Sequence, residues 1–317
     1  MAPSTEAVSS PGAFSAPGEV SLSYRPRRGE QVIRVLLAGA AGLSVLTTVG
    51  IVVSLLLPAL TFFKDVSIFD YLFGGTWDPR ISKEFGVWPL INGTLLITGI
   101  ALAVAIPLGL GTALFLSEYA RPRVRRAVKP VIELLAGIPT IVFGYFALTF
   151  FTPNLLKDFA GVDVGTFNAL AAGIVMGFMV VPTIASVAED GLSAVPQSLR
   201  EGAYGLGASK LQVSLRVVLP AALSGVVAAI VLGISRAIGE TMIVLVAAGL
   251  RPNTGVDPTK GYETMTTYIG ATARGDIPTG SLVYKTVFAV GITLFVITLI
   301  MNLLSIRFVR RFRQVYE

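Results

Sequence analysis

The chain has 317 residues, of which 53% are hydrophobic and only 14% charged, and its mean hydropathy is +0.75. A soluble domain is usually about one-quarter charged, so this composition argues against a water-soluble protein and favours one embedded in lipid. The net charge is +6, but no water-soluble segment presents a basic surface, which argues against a nucleic-acid-binding protein. The sequence contains no cysteine and no histidine, which excludes disulfides, Cys/His zinc sites and imidazole catalysis.

Residues 1–30 are rich in alanine, proline, serine and glycine, and this composition predicts a disordered N-terminal tail. The remainder, residues 31–317, predicts one membrane domain. Roughly 20 apolar residues cross the hydrocarbon core, and the backbone must be hydrogen-bonded there, so each long apolar run predicts a transmembrane helix. The runs are Val35–Phe63, Leu90–Leu116, Pro130–Phe151, Phe167–Ala188, Ala221–Ala248 and Leu282–Ile306.

Lysine and arginine are distributed unequally between the loops on the two sides of these six predicted spans. The N-terminal flank, the second and fourth loops and the C-terminal tail carry about twice as many as the remaining loops. The positive-inside rule therefore predicts that both termini are cytoplasmic. An even number of spans agrees with this orientation.

The loop at residues 189–219, between the fourth and fifth spans, predicts a pair of short helices on the cytoplasmic face. Ser198 is expected to cap the first helix, with Glu201 near its positive N-terminal end. Gly205 and Gly207 are expected to end it.

A second amphipathic helix is predicted to follow in the same loop and to stop at Pro220. Its apolar side would consist of Leu211, Leu215 and Val218. Small residues in the first helix would allow the surface of another protein to approach closely.

This loop resembles the EAA loop of bacterial ABC importer permeases. Glu201-Gly202-Ala203 is followed after three residues by Gly207, after nine more by Val217, and then by Leu219-Pro220. Glycine replaces alanine at position 202 and valine replaces isoleucine at position 217. In the family the loop forms a coupling helix that docks on the ATPase, so the resemblance assigns coupling to Arg200, Glu201, Gly202, Ala203 and Gly207. The residues alone leave open an interfacial hairpin of a secondary transporter.

The fifth run carries two ionisable residues, Arg236 and Glu240, one helical turn apart. A charge at the centre of a membrane helix costs on the order of 2.5–3.5 kcal/mol, so we expect both to face a protein interior or a water-filled path. Arginine suits bidentate recognition of a tetrahedral oxyanion, and Glu240 is expected to compensate and orient it. A structural ion pair joining two helices is the alternative.

Several segments resemble the PstC-type permease subunit of phosphate ABC importers. They are GISRAIGETM at 233–242, FGVWPLINGT at 85–94 and ELLAGIPT at 133–140 followed by Gly144. The segment at 264–269 and the run from Gly291 to Ile306 favour this type over its PstA-type partner. In the family, the residues matching Arg236 and Glu240 are implicated in phosphate passage.

The resemblance covers the chain from about Arg34 onward and implies an all-α integral membrane protein with six transmembrane helices and the MetI-like core of type I ABC importer permeases. It implies a multi-pass subunit of the bacterial inner membrane that passes inorganic phosphate. The implied partners are a PstA-like permease subunit, an ATP-binding cassette ATPase dimer holding ATP and Mg, an extracytoplasmic phosphate-binding protein and membrane lipid.

The sequence has no glycine-rich phosphate-binding loop, so we expect a separate subunit to hydrolyse ATP and hold its cofactors, and this chain not to be an enzyme by itself. Without histidine, cysteine or a pair of carboxylates at membrane depth we expect no catalytic residue or metal, and without a basic water-soluble module no nucleic-acid partner. A permease for another oxyanion (phosphonate, sulfate or molybdate) and an ion-coupled secondary transporter are the alternatives. Thr140 is a further candidate for the substrate path, because Pro139 beside it is expected to kink the third span.

Overall fold

The structure is a computed structural model that describes residues 28–312. Of the predicted tail at residues 1–30, all but the last three residues lie outside the described part. The first helix, α1 (Arg28–Asp65), is 38 residues long. The chain divides between Ile51 and Val52 into two compact units. In the first unit the described residues are helical and expose apolar side chains such as Val35 and Leu46.

The second unit contains twelve further helices within the described residues. They are α2 (Ile68–Phe73), α3 (Trp88–Leu114), α4 (Pro122–Ala136), α5 (Thr140–Phe146), α6 (Ala169–Ser193), α7 (Gln197–Gly205), α8 (Lys210–Val213), α9 (Leu219–Ala221), α10 (Leu223–Ile238), α11 (Met242–Ala247), α12 (Met265–Ala273) and α13 (Leu282–Phe312). Three stretches are π-helical: Phe115–Tyr119, Ala147–Phe159 and Ser214–Val218. Two short strands, β1 (Trp77–Asp78) and β2 (Glu84–Phe85), pair in an antiparallel manner.

Four helices of the described part are long and apolar enough to cross a membrane: Gly29–Asp65, Trp88–Tyr119, Ala169–Ser193 and Leu282–Arg307. Two bent pairs meet the same criterion together. The pair of Pro122–Ala136 and Thr140–Phe159 bends by 84°, and the pair of Lys210–Ala221 and Leu223–Ile238 bends by 74°. Counting each pair as one span gives the six predicted from the sequence, so the helical membrane fold is confirmed apart from the two short strands.

The third predicted span is broken where the kink at Pro139 was expected, and the fifth is wrong as a continuous helix. The third, predicted from Pro130, is interrupted at residues 137–139, and Pro139 is the N-cap of α5. Because proline has no amide hydrogen and restricts the residue before it, the helix stops there and a new one starts in another direction. The second helix of the loop was expected to stop at Pro220, but Pro220 lies inside α9 and the turn comes at Ala222. The fifth span, predicted from Ala221, breaks between Ile238 and Met242.

Helices α3, α6 and α10 form the centre of the second unit, and small residues let them approach closely. A Cβ atom at Gly177 of α6 would lie 2.8 Å from the carbonyl oxygen of Ala101 in α3. Gly191 and Gly225 bring the backbones of α6 and α10 together in the same way. This packing is typical of membrane helices, where close backbone contact replaces the hydrophobic effect. Gly99 and Gly111 of α3, by contrast, face open space.

The segment between α11 and α12 lies against the first turns of α3 and contains a buried acid. The Glu263 amide donates to the Arg251 carbonyl oxygen at 2.9 Å, and its side chain is only 7% exposed. A Cβ atom at Gly93 would lie 2.4 Å from the Glu263 carbonyl oxygen. Burial raises the pKa of the Glu263 carboxyl to about 7, although the positive charge of Arg80 opposes the shift.

We expect Glu263 to make the stability of the protein depend on pH. The folded protein holds the proton more tightly than the unfolded chain, so the stabilisation is complete below the unfolded pKa of about 4.5 and is lost as pH rises through about 7. Glu263→Gln should remove this dependence, which amounts to about 3 kcal/mol at most. Thermal unfolding in detergent between pH 5 and 8 measures it, with the exposed Glu84→Gln as control. A pH profile unaltered by Glu263→Gln would contradict the assignment.

Candidate functional site

Arg236 lies in the last turn of α10, and its side chain is half-buried. Its Nη1 atom donates to Thr183 Oγ1 in α6 at 2.9 Å. At about 1.5 Å per residue, Thr183 lies about 21 Å from the start of α6 and about 15 Å from its end. The guanidinium group is therefore held near the middle of a helix that is long enough to span the membrane.

Glu240 does not pair with Arg236. Helix α10 ends at Ile238, and the Glu240 Oε1 atom accepts hydrogen bonds from the amides of Met242 at 2.8 Å and Ile243 at 3.1 Å. The carboxylate thus caps α11, whose first amides have no partner within the helix. The expectation that Glu240 compensates Arg236 on one continuous helical face was wrong, because the helix breaks between them.

As a consequence, the Arg236 guanidinium has a neutral hydroxyl as its hydrogen-bond partner rather than a carboxylate. Within the part of the chain that the structure describes, no acidic side chain forms an ion pair with it, and its other N–H donors bond no described residue. A guanidinium group presents several donors in one plane. The geometry therefore offers positive charge and free donors to an anion.

A cluster of buried threonines supports the break between α10 and α11. Thr266 Oγ1 donates to the Glu240 carbonyl oxygen at 2.8 Å. Thr264 and Thr267 form a reciprocal capping box at the start of α12, which fixes the segment that carries Thr266.

The sequence analysis identified the segment at 264–269 only through its resemblance to a family, and it did not identify Thr183. The available signal was weak: Thr183 is the first hydroxyl residue in α6, three positions before Ser186.

Thr140 is the first residue of α5, and α5 packs against α11. The contact is made at Gly144, where a Cβ atom would lie 3.0 Å from the Ile243 Cα atom and 3.1 Å from the Met242 carbonyl oxygen. Two short helices that each begin after a break in a span therefore touch. No hydrogen bond in the described chain joins Thr140 to Arg236, so its place on a substrate path stays a prediction.

The first helix of the predicted coupling loop is present as α7. Its N-cap is Pro196 rather than Ser198, so the expected Ser198 cap was wrong, because the preceding proline already fixes the turn. The predicted end is confirmed: α7 stops at Gly205, and Gly207 has a φ of 80°, which favours glycine.

The outer side of α7 is open. Glu201, Gly202 and Gly207 are exposed, and the side chain of Leu206 is 91% exposed. A Cβ atom at Gly202 would meet nothing within 4 Å. Ala203 packs inward against the core.

The second helix of the loop faces the core differently from the prediction. Leu211 and Leu215 are exposed, whereas Val213 and Val218 are fully buried. The π-helical stretch Ser214–Val218 places residues five apart on one side, which shifts the buried face.

Arg200 points inward rather than toward a docking partner, and its side chain is 12% exposed. Its Nη2 atom lies 3.1 Å from Glu118 Oε1, and the same guanidinium group donates to the carbonyl oxygens of Leu192 and Val195. Glu118 lies in the π-helical stretch that ends the span of α3. The pair therefore connects α7 to α3 beneath the surface of the protein.

A second ion-pair network connects α4 to the end of α6. Glu189 is 1% exposed and bonds Lys129 at 2.7 Å and Arg125. Lys129 also lies 2.7 Å from Asp190. Both networks lie at the same end of the central helices, beside α7.

Comparison with known proteins identifies the family to which this chain is related. The family described as binding-protein-dependent transport system inner membrane component matches residues 105–314. The phosphate transport system permease protein PstC of Haemophilus influenzae is 35% identical over 76% of this chain and 83% of that protein. PstC 1 of Mycobacterium tuberculosis is 39% identical over 73% of this chain and 74% of that protein.

Among solved structures, a bacterial alginate ABC transporter in complex with a periplasmic protein bound to an alginate pentasaccharide aligns with a TM-score of 0.62. The alignment covers 89% of this chain and 96% of that chain at 19% identity, a likeness that shows the fold alone. The sequence match is broad enough to establish the relationship: this chain belongs to the family of binding-protein-dependent transport system inner membrane components.

Proposed function

We propose that the chain is the PstC-type permease subunit of an ATP-driven importer and passes inorganic phosphate across a bacterial cytoplasmic membrane. The observation that carries the proposal is the half-buried Arg236 guanidinium, which is held by Thr183 and has no carboxylate partner among the described residues. The naming of its relatives as phosphate transport permeases supports phosphate over other tetrahedral oxyanions.

An unpaired charge at this depth is unfavourable unless water or an anion compensates it. A phosphate oxygen can accept hydrogen bonds from the free N–H donors of Arg236, and a protonated phosphate oxygen can donate to a hydroxyl group. An anion bound by one arginine and neutral neighbours is held weakly enough to leave again, as passage through a pore requires. The role of Glu240 in this proposal is to cap α11 and so fix the position of the break.

The proposed complex contains a second, PstA-like permease subunit, an ATPase dimer that binds ATP and Mg, and an extracytoplasmic phosphate-binding protein. We place both termini and α7 in the cytoplasm, which agrees with the distribution of positive residues. The ATPase docks on the exposed side of α7 around Gly202 and Leu206. The ion pair of Arg200 with Glu118 then carries the movement of α7 to α3.

Removing the guanidinium group should strongly reduce transport without disassembling the complex. Hydrogen bonds to a charged group contribute about 1.5–3 kcal/mol, so Arg236→Gln is expected to lower phosphate uptake about 10- to 100-fold. Radiolabelled phosphate uptake into proteoliposomes measures the effect, and co-purification of the ATPase reports assembly. The exposed Arg274→Gln serves as the matched control. Wild-type uptake by Arg236→Gln in an assembled complex would reject the anion site.

Docking on α7 should be blocked by a bulky side chain at Gly202. The site has open space around it, so Gly202→Trp should leave the unfolding temperature of this chain unchanged while the ATPase no longer co-purifies. Gly75→Trp, which also meets no neighbouring atom, is the control. Gly207 is a poorer choice, because its positive φ would add backbone strain. Normal ATPase co-purification with Gly202→Trp would place the dock elsewhere.

Breaking the pair of Arg200 with Glu118 should uncouple ATP hydrolysis from transport. Glu118→Gln keeps the shape of the side chain but removes its charge, and we expect less phosphate transported per ATP while the ATPase still co-purifies. The double exchange of Arg200→Glu with Glu118→Arg should restore part of the ratio. Glu84→Gln is the control. An unchanged ratio in Glu118→Gln would show that movement does not pass through this contact.

A further inference from the structure

Helix α4 has the character of a helix that lies in a membrane interface. It turns by 84° from the segment Thr140–Phe159, and none of its residues is fully buried. Helical geometry puts Arg123 and Arg126 on one side and Val131 and Leu134 on the neighbouring side. The side chains of Val131 and Leu134 are 55% and 74% exposed. A helix with a basic side next to an exposed apolar side typically lies at the boundary of lipid head groups and acyl chains.

The positive residues of this region divide into two groups. Arg125 and Lys129 are compensated within the chain by Glu189 and Asp190. Arg121, Arg123 and Arg126 are exposed and form no ion pair with a described acidic residue. These three guanidinium groups have no counter-charge from the described chain.

A cavity of about 710 Å³ opens between α4 and the end of the α3 span, and Arg126 is the one of these three arginines that lines it. Its lining includes Leu116 and Ser117 on one wall and Arg126 and Pro130 on the other. Arg125 and Lys129 also line it but are paired with Glu189, so Arg126 is the lining cation without a described carboxylate partner. The cavity therefore joins a cationic rim to an apolar wall. The only acid in its lining is Glu133, which is exposed.

We propose that α4 and this cavity bind the head group of an anionic phospholipid, with the phosphate group at Arg121, Arg123 and Arg126 and the acyl chains along Val131 and Leu134. The placement of this face in the cytoplasmic leaflet rests on the proposed function. A lipid matches both sides of the helix at once, because it brings a phosphate group and apolar chains together. Free inorganic phosphate would leave the apolar side of α4 uncovered. An acidic protein surface would have to cover that apolar side in addition to pairing with the arginines.

Lipid binding to the purified full-length chain tests this proposal. Native mass spectrometry in a neutral detergent would compare phosphatidylglycerol with phosphatidylcholine of the same acyl chains. We expect phosphatidylglycerol to bind more tightly, and the triple variant R121Q/R123Q/R126Q to lose about fivefold in affinity per removed charge, on the order of a hundredfold in total. The charge-preserving triple variant R121K/R123K/R126K should stay within a few-fold of wild type.

The matched control is K64Q/K83Q/K157Q, which removes three exposed charges at the other end of the molecule and should bind phosphatidylglycerol like wild type. Equal losses in control and test variants, or no loss in the test variant, would overturn the proposal. Displacement of the lipid by millimolar inorganic phosphate would identify a free-phosphate site instead. Loss of ATPase co-purification with unchanged lipid binding would identify a protein partner.

Two features keep this test independent of folding and of the proposed function. Should the triple variant not fold, Arg126→Gln alone changes one exposed side chain at the cavity and should lose about fivefold in phosphatidylglycerol affinity. Unchanged affinity would then reject the site. Lipid binding to the isolated chain needs neither phosphate transport nor ATP, so a failure of phosphate uptake by the complex leaves this measurement unaffected.

Discussion

The interaction on which the site depends is the pair of hydrogen bonds from the Met242 and Ile243 amides to the Glu240 carboxylate. In a lipid environment every backbone amide needs a partner, so a break inside a span requires a side chain that accepts its free N–H groups. Because the Glu240 carboxylate accepts hydrogen bonds from these backbone amides, it does not compensate the charge of Arg236. The break in the helix and the unpaired guanidinium group are therefore two results of one constraint.

The elements around the break keep it in place from several sides. Thr266 bonds the Glu240 carbonyl oxygen, α5 packs against α11 through Gly144, and Thr183 holds the guanidinium group from α6. Each contact involves a polar group or a small residue where two short helix ends meet. This density of polar contacts explains why an irregular backbone is tolerated within a predicted span, since such segments occur in membranes only when other protein groups cover them.

The sequence predicted the number of spans and α7, because each rests on a local pattern such as a long apolar run or a fixed spacing. It did not predict the partners of the charged residues. Arg236 and Glu240 look paired only if the helix between them is continuous, and Gly239 and Thr241 do not reveal the break by hydropathy. Arg200 looked like a surface residue because a sequence does not show that Glu118, far away in the chain, lies beside α7.

The positively charged residues of this protein differ in whether a carboxylate of the same chain pairs with them. Where cations have carboxylate partners, as in Arg200 with Glu118 and Lys129 with Glu189, the contact joins helices of the same chain. Among the described cations that lack a carboxylate partner, two sets bear on binding: Arg236 at the middle of the central helices, and the arginines along the exposed side of α4. A positive charge in or beside lipid is costly when unpaired, so water, an anion or a lipid head group has to compensate it. The same argument supports both proposals, a transported anion at Arg236 within the protein and an anionic lipid at α4 on its edge.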